Sequence, residues 1–228
     1  MGLAVILKEN YKMINLKKIF HKLEGNLVYI LFAIFMTFPS FATLQKGESY
    51  ITNGQFNQAV EVLSPYAEKN NPHALYLLGC IYLNSKSTLY NYKLGFYLLE
   101  KAVHFNYQPA IDELAGLYLA GEGVDKNEKK ALHYYIQAAH LGYGPSQFNC
   151  GIMYKLGLGT EKDAMKAYLY LSLASLNVKD LDDLTLDAAK YRDELVPLLT
   201  PEQRQIVLSQ VNALTLPENS RDVAGVNP

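Results

Sequence analysis

The chain has 228 residues, half of them apolar and 19% charged, with 21 basic residues against 22 acidic ones for a net charge of -1. That balance describes a globular chain of about one domain and excludes a disordered, fibrous or collagenous one. It also excludes the net basic footprint of a nucleic-acid binder. Eighteen tyrosines and no tryptophan leave an excess that needs a cause.

The charge divides unevenly, with a net +3 over residues 1–42 and −4 over residues 43–228. Lys8, Lys12, Lys17, Lys18 and Lys22 precede the run Leu27–Phe38, which is apolar apart from Thr37. Pro39 and then Ser40-Phe41-Ala42 follow. A basic region, a short apolar region and a small-x-small ending predict a secretory signal peptide over 1–42, cleaved after Ala42. An uncleaved anchor is the alternative, but a spanning helix wants roughly 20 apolar residues and Pro39 interrupts the run. Met13, followed by Ile14-Asn15-Leu16-Lys17-Lys18, is a more ordinary start than Met1. No cysteine follows the cleavage point to carry a lipid.

Beyond residue 42 the chain repeats itself. Ala74, Ala110 and Ser146 are 36 residues apart. The same step links Leu78, Leu114 and Cys150; Gly79, Ala115 and Gly151; and Tyr82, Tyr118 and Tyr154. It continues through Gly95, Ala131 and Ala167, through Leu98, Tyr134 and Tyr170, and through Ala102, Ala138 and Ala174. Within each unit the apolar and small residues recur at helical spacing, and glycines such as Gly121, Gly123, Gly157 and Gly159 break one helix from the next. Each unit is therefore a helix pair, over 73–108, 109–144 and 145–177. A shorter-looped unit leads at 43–72, where Gly47 and Tyr50 repeat the first-helix element and Gly54 to Ala59 opens the second. One helix pair cannot bury both its apolar faces, so neighbours must stack. The expected fold is all-α, a right-handed superhelix of helix pairs.

The run from Ala110 through Gly116, Tyr118, Gly121 and Gly123 to Ala131, Ala138, Ala139 and Gly142 resembles the Sel-one-like repeat, a longer-looped relative of the tetratricopeptide repeat. The leading unit resembles a tetratricopeptide repeat proper, and the resemblance covers 43–177. Ser85 and Ser87 replace the loop glycines of the first long unit, Asn106 replaces its closing glycine, and Tyr134 stands at the family's tryptophan. The loop around Ser85 is expected to differ in shape. The resemblance implies a protein-binding scaffold and carries no catalytic residue. Some exported relatives have a disulfide in every repeat. Cys80 and Cys150 lack that pattern, and with it goes the β-lactamase or penicillin-binding reading.

The period stops after residue 177. Asp180-Leu181-Asp182-Asp183 is a helix start, with the helix running to about Leu199, and Thr200-Pro201-Glu202-Gln203 is a second start. These helices, over 178–215, are expected to cap the array, and 216–228 to be a disordered tail.

No catalytic constellation is visible. His104 and His140 share one repeat position without further metal ligands, the paired glycines lack the context of a phosphate-binding loop, and Asp182-Asp183 reads as a helix start. No metal and no cofactor is expected. What remains is the face of each first helix three before the glycine column and one and four after it. Those positions are Tyr76, Cys80 and Leu83, then Asp112, Gly116 and Leu119, then Phe148, Ile152 and Lys155. They are expected to line a concave groove, with contact to the next repeat as the alternative for each. The resulting expectation is an exported bacterial adaptor, periplasmic or secreted. It would bind a protein or peptide, not nucleic acid, and touch a membrane only through an uncleaved signal. An envelope enzyme or an activator of a peptidoglycan enzyme, and a secreted host-interaction factor, are the alternatives.

Overall fold

The computed structural model describes residues 42–176 and 183–215. The signal segment up to Phe41, the helix start at 180–182 and the tail at 216–228 lie outside the described residues. The chain divides into two units, Met1–Lys46 and Gly47–Pro228. Of the first, residues 42–46 are described and are helical. Among the described residues no helix is long and apolar enough to cross a membrane, and there is no strand.

The second unit begins with α1 (47–52) and α2 (Phe56–Glu68). Three longer-looped pairs follow: α3 (Pro72–Leu83) with α4 (Tyr92–His104), α5 (Gln108–Ala120) with α6 (Glu128–His140), and α7 (Gly144–Leu156) with α8 (Ala164–Leu176). In the longer-looped pairs each helix packs on its partner, and the second helix of each unit packs on the first helix of the next, giving a solenoid of helix pairs. Two helices end the unit, α9 (Asp183–Asp193) and α10 (Pro201–Thr215), and both pack on α8. The helix expected to reach Leu199 stops at Asp193, and a short 3-10 turn, Val196–Leu198, follows. Pro197 explains the stop, since it has no N–H to donate and its ring would press on the carbonyl of residue 193. At Thr200 the capping box forms: the Gln203 N–H donates to Thr200 Oγ1 at 3.2 Å and the Thr200 N–H to Gln203 Oε1 at 2.9 Å.

The repeat columns have direct physical meanings. Gly79 and Gly151 are where the first helix crosses the second, and a Cβ there would lie 2.9 Å from a Leu99 methyl and 2.5 Å from Leu171 Cγ. Gly95 faces the same crossing, and a Cβ on it would lie 2.9 Å from the carbonyl oxygen of Gly79. Ala115 and Ala131 are fully buried in the corresponding column of the second long unit. After the crossing the chain turns through a loop and the second helix is capped from inside. Asn91, Asn127 and Asp163, again 36 apart, each accept the N–H three residues on. Their own N–H groups donate to the carbonyls of Tyr82, Tyr118 and Tyr154 at 2.9, 2.8 and 3.0 Å.

The tyrosine excess belongs to the same geometry. The Tyr118 ring stacks on Tyr134 at 5.8 Å, and Tyr154 on Tyr170 at 5.8 Å, within 11° and 5° of parallel. Lys130 and Lys166 lie over the outer faces of Tyr118 and Tyr154 at 5.0 and 5.1 Å. Such ring pairs contribute about 0.5–1.5 kcal/mol each beyond area burial. In the first long unit Leu98 stands at the Tyr134 position and Leu94 at the Lys130 position, so Tyr82 has no such stack.

The loop glycines separate into two roles. Gly121 and Gly157 end α5 and α7 in the left-handed region, at φ 73° and 77°. Gly123 and Gly159 instead let the loop press on the start of the preceding repeat's second helix. A Cβ on Gly123 would lie 2.2 Å from the Tyr92 ring, and one on Gly159 would lie 2.4 Å from the Glu128 carbonyl oxygen. The Gly159 N–H also donates to the Glu128 carboxylate at 3.2 Å. The loop around Ser85 does differ. Asn84 ends α3 with extended backbone, its side chain accepts from the Lys86 N–H, and the Ser87 hydroxyl is buried and accepts from the Leu89 N–H. Asn106, at φ 54°, takes the left-handed role that Gly142 fills at φ 84°.

Gly159 and Gly142 both have positive φ, but only Gly159 sits against backbone. Gly142→Ala is expected to cost about 1 kcal/mol for its backbone conformation alone. Gly159→Ala is expected to cost about 1–3 kcal/mol more, because the displaced neighbour is main chain. Urea denaturation of the two variants beside the parent checks the difference.

Candidate functional site

All nine residues expected to face the groove are half-buried. In the first long unit the Tyr76 ring lies 5.6 Å from Tyr107, and His73 stacks on Tyr107 at 5.7 Å while its Nε2 pairs with Glu48 at 2.9 Å. The Tyr76 hydroxyl and the Cys80 thiol are hydrogen-bonded neighbours. Burial, with Glu113 adding to it, pushes the Cys80 thiol up to about 12. Burial raises the Tyr76 phenol as well, with further contributions from Cys80 and Glu113. Both cysteines are free thiols.

In the second unit Asp112 accepts a hydrogen bond from Ser146 Oγ at 2.5 Å and a longer one from Asn149 Nδ2 at 3.4 Å. It is thus a joint between α5 and α7 and not a free groove carboxylate. Gly116 leaves room for the Tyr135 hydroxyl, which would lie 3.6 Å from a Cβ there. Leu119 rests on the core with part of its surface open.

The third unit is covered by the chain itself. Phe148 packs against Tyr191 at 5.9 Å, and Lys155 lies over the Tyr191 ring at 4.6 Å and pairs with Glu194. Tyr191 is on α9 and Glu194 just beyond it. Ile152 lies between Phe148 and Lys155 on the same helix and rests on the core. The face expected to be one groove is therefore open over Tyr76, Leu83 and Leu119 and occupied at Phe148 and Lys155.

A cleft of about 540 Å³ opens between the first and second long units. Its wall includes Cys80 and Leu83 of α3, Tyr90 and Tyr92 at the start of the second helix, and Glu113 and Leu117 of α5. Glu122 and Gly123 close it from the next loop. Glu113 is held above the ordinary carboxylate range by burial first and then by the nearby charges of Asp112 and Glu122. Asp112 is also raised by burial, and its two hydrogen bonds work against that rise. Among the described residues no group of three His, Cys, Asp or Glu side chains is placed to hold a metal ion.

Sequence reasoning named Cys80, Leu83 and Asp112 but missed Glu113 and Tyr107. Tyr107 and Tyr143 are the residues before α5 and α7, 36 apart, in the column where Asn71 caps α3. Neither makes a side-chain cap, and the Tyr107 ring lies beside Tyr76 and His73 instead. That column was a readable signal. Glu113 gave none, because its importance depends on the neighbouring loop bringing Glu122 near it.

A carboxyl raised on folding favours the fold while protonated, and that contribution is lost as pH rises through its folded value. Glu113→Gln is therefore expected to raise the melting temperature at neutral pH and to leave it unchanged well below the carboxylate range. Thermal melts of the variant and the parent at both pH values test this.

A Sel1 repeat model matches residues 72–103, 109–143 and 144–177. Among curated proteins none matches the chain. A solved protective antigen present in uropathogenic Escherichia coli strains, displaying an SLR fold, is 26% identical with a TM-score of 0.61. That match covers 75% of this chain and 36% of the antigen, so this chain spans little more than a third of that protein's length. A solved Sel1 repeat protein from Oxalobacter formigenes is 29% identical with a TM-score of 0.51, covering 52% of this chain and 91% of that one. Sel1 repeats generally serve as protein-interaction scaffolds and are typically not enzymes. The three matched segments coincide with the three helix pairs of 36-residue period, so residues 72–177 carry three Sel1 repeats.

Proposed function

We propose that this protein is an exported, non-enzymatic adaptor that holds a protein or peptide partner against the first helices of its repeats. The carrying observation is the open stretch of that face, where Tyr76, Leu83 and Leu119 are half-exposed beside the cleft at Glu113. Apolar and tyrosine surface of this kind suits a partner that excludes water and finds a few polar anchors. Phe148, Ile152 and Lys155 would mark the closed end of the site, where α9 sits in place of a partner. Export is supported by the basic stretch and apolar run of residues 1–42, and the likeness to a protective antigen supports a periplasmic or secreted location.

A photo-crosslinking side chain at Leu119 should capture one predominant protein in the native cell, identified by mass spectrometry. The same group at Lys129, on the exposed side of α6, should not. Combining Tyr76→Ala with Leu83→Ala should weaken capture by on the order of tenfold. Equal capture from Leu119 and Lys129 would contradict the proposal, and cell fractionation tests the location separately.

A further inference from the structure

The geometry points to the cleft between α3 and α5 as a receptor for one arginine or lysine side chain of the protein partner, which lies along Leu83 and Leu117 and ends at Glu113 and Glu122. This inference rests on the adaptor reading and specifies the partner's chemistry.

Three independent observations converge on it. The first is charge. Glu113 and Glu122 both line the cleft, and no lysine, arginine or histidine does. The described ion pairs engage Glu48, Glu128, Asp163, Asp193 and Glu194, but neither cleft carboxylate. Asp112, next to Glu113, is committed to Ser146 and Asn149 and adds a negative charge without a cation of its own. Glu113 is half-buried and Glu122 exposed, so a cation placed between them supplies the countercharge that the buried carboxylate lacks.

The second observation is an unmade hydrogen bond. The Tyr92 hydroxyl is buried without a partner, and Tyr92 is one of the residues lining the same cleft. Its lone pairs are available to a guanidinium or ammonium donor. Tyr92 is held in place by Gly123, which sits so close that any side chain there would overlap the ring.

The third is shape and lining. Leu83, half-buried, offers apolar surface for a methylene stem with the buried Leu117 beneath it, and Tyr90, 51% exposed, stands at the wall as an aromatic face for the charged head. A volume of about 540 Å³ admits a long side chain together with the backbone that carries it. An acidic or purely apolar side chain would leave the carboxylates uncompensated. Arginine fits the aromatic wall and paired carboxylates better than lysine, because its planar head can stack and donate in a fork.

A random peptide library displayed on phage and selected against the full chain tests the assignment. Selection should enrich peptides with a basic residue at one fixed position, arginine above lysine. A synthetic peptide carrying that sequence should bind on the order of tenfold more weakly to Glu113→Gln, and similarly to the version in which citrulline replaces arginine. Glu68→Gln, an exposed glutamate outside the cleft, should leave affinity unchanged. Circular dichroism shows that each variant remains folded. Enriched peptides without a basic position, no enrichment at all, or equal affinity for folded Glu113→Gln and the parent would each overturn the inference. So would spermidine binding in the cleft while the arginine peptide does not. If the partner captured from Leu119 binds the parent and Glu113→Gln equally, the adaptor reading stands and this inference fails.

Discussion

The close crossing of the two helices in each repeat is the constraint on which the other features depend. At Gly79 and Gly95 no side chain separates the backbones, and Leu99 closes over the gap. Ala115 with Ala131, and Gly151 with Ala167, repeat the arrangement in buried positions. A crossing this tight brings the end of the first helix near the start of the second. The carbonyls of Tyr82, Tyr118 and Tyr154 can then receive the N–H groups of Asn91, Asn127 and Asp163. With that link made, the tyrosine rings stand over the second helix, and Tyr134 and Tyr170 stack on two of them. Five of the chain's eighteen tyrosines are this one position and its partner, written again in successive repeats.

From these columns the fold was readable, because each column answers to a local need that recurs unchanged: a crossing, a cap, a left-handed turn. Asn106 shows how far that reading extends, since asparagine tolerates the positive φ that glycine supplies at Gly142. The loop at Ser85 shows the same logic in reverse, where losing the glycines produced an extended turn tied by Asn84 and Ser87. The end of the array was less readable. α9 follows no period, so nothing in the repeat columns indicated that Tyr191 and Glu194 would meet Phe148 and Lys155. A helix-face rule places residues on a side of their own helix, but it cannot say what arrives from elsewhere to cover them.

The same limit shaped the candidate site. Spacing alone put Asp112 on the binding face, whereas the structure ties it to Ser146 and Asn149. Glu113, one residue on and outside the spacing rule, is the carboxylate that opens into the cleft. Its neighbour Glu122 comes from the loop that Gly123 allows to press on Tyr92, so the cleft is built by contact between successive repeats. A site of this sort is a property of the stack and not of a single unit. It forms where the first two long repeats differ, with a glycine-free loop on one side and a glycine-rich loop on the other.

Hydroxyl-radical footprinting of the full chain, alone and bound to its captured partner, tests the central claim most directly. Tyr90 and Tyr97 are 51% and 55% exposed, so their intrinsic labelling is comparable, and they line different clefts. Partner binding to the first-helix face predicts that Tyr90, Leu83 and Leu119 lose labelling while Tyr97 and Phe105 keep theirs. Protection of Tyr97 and Phe105 with Tyr90 still labelled would contradict the account.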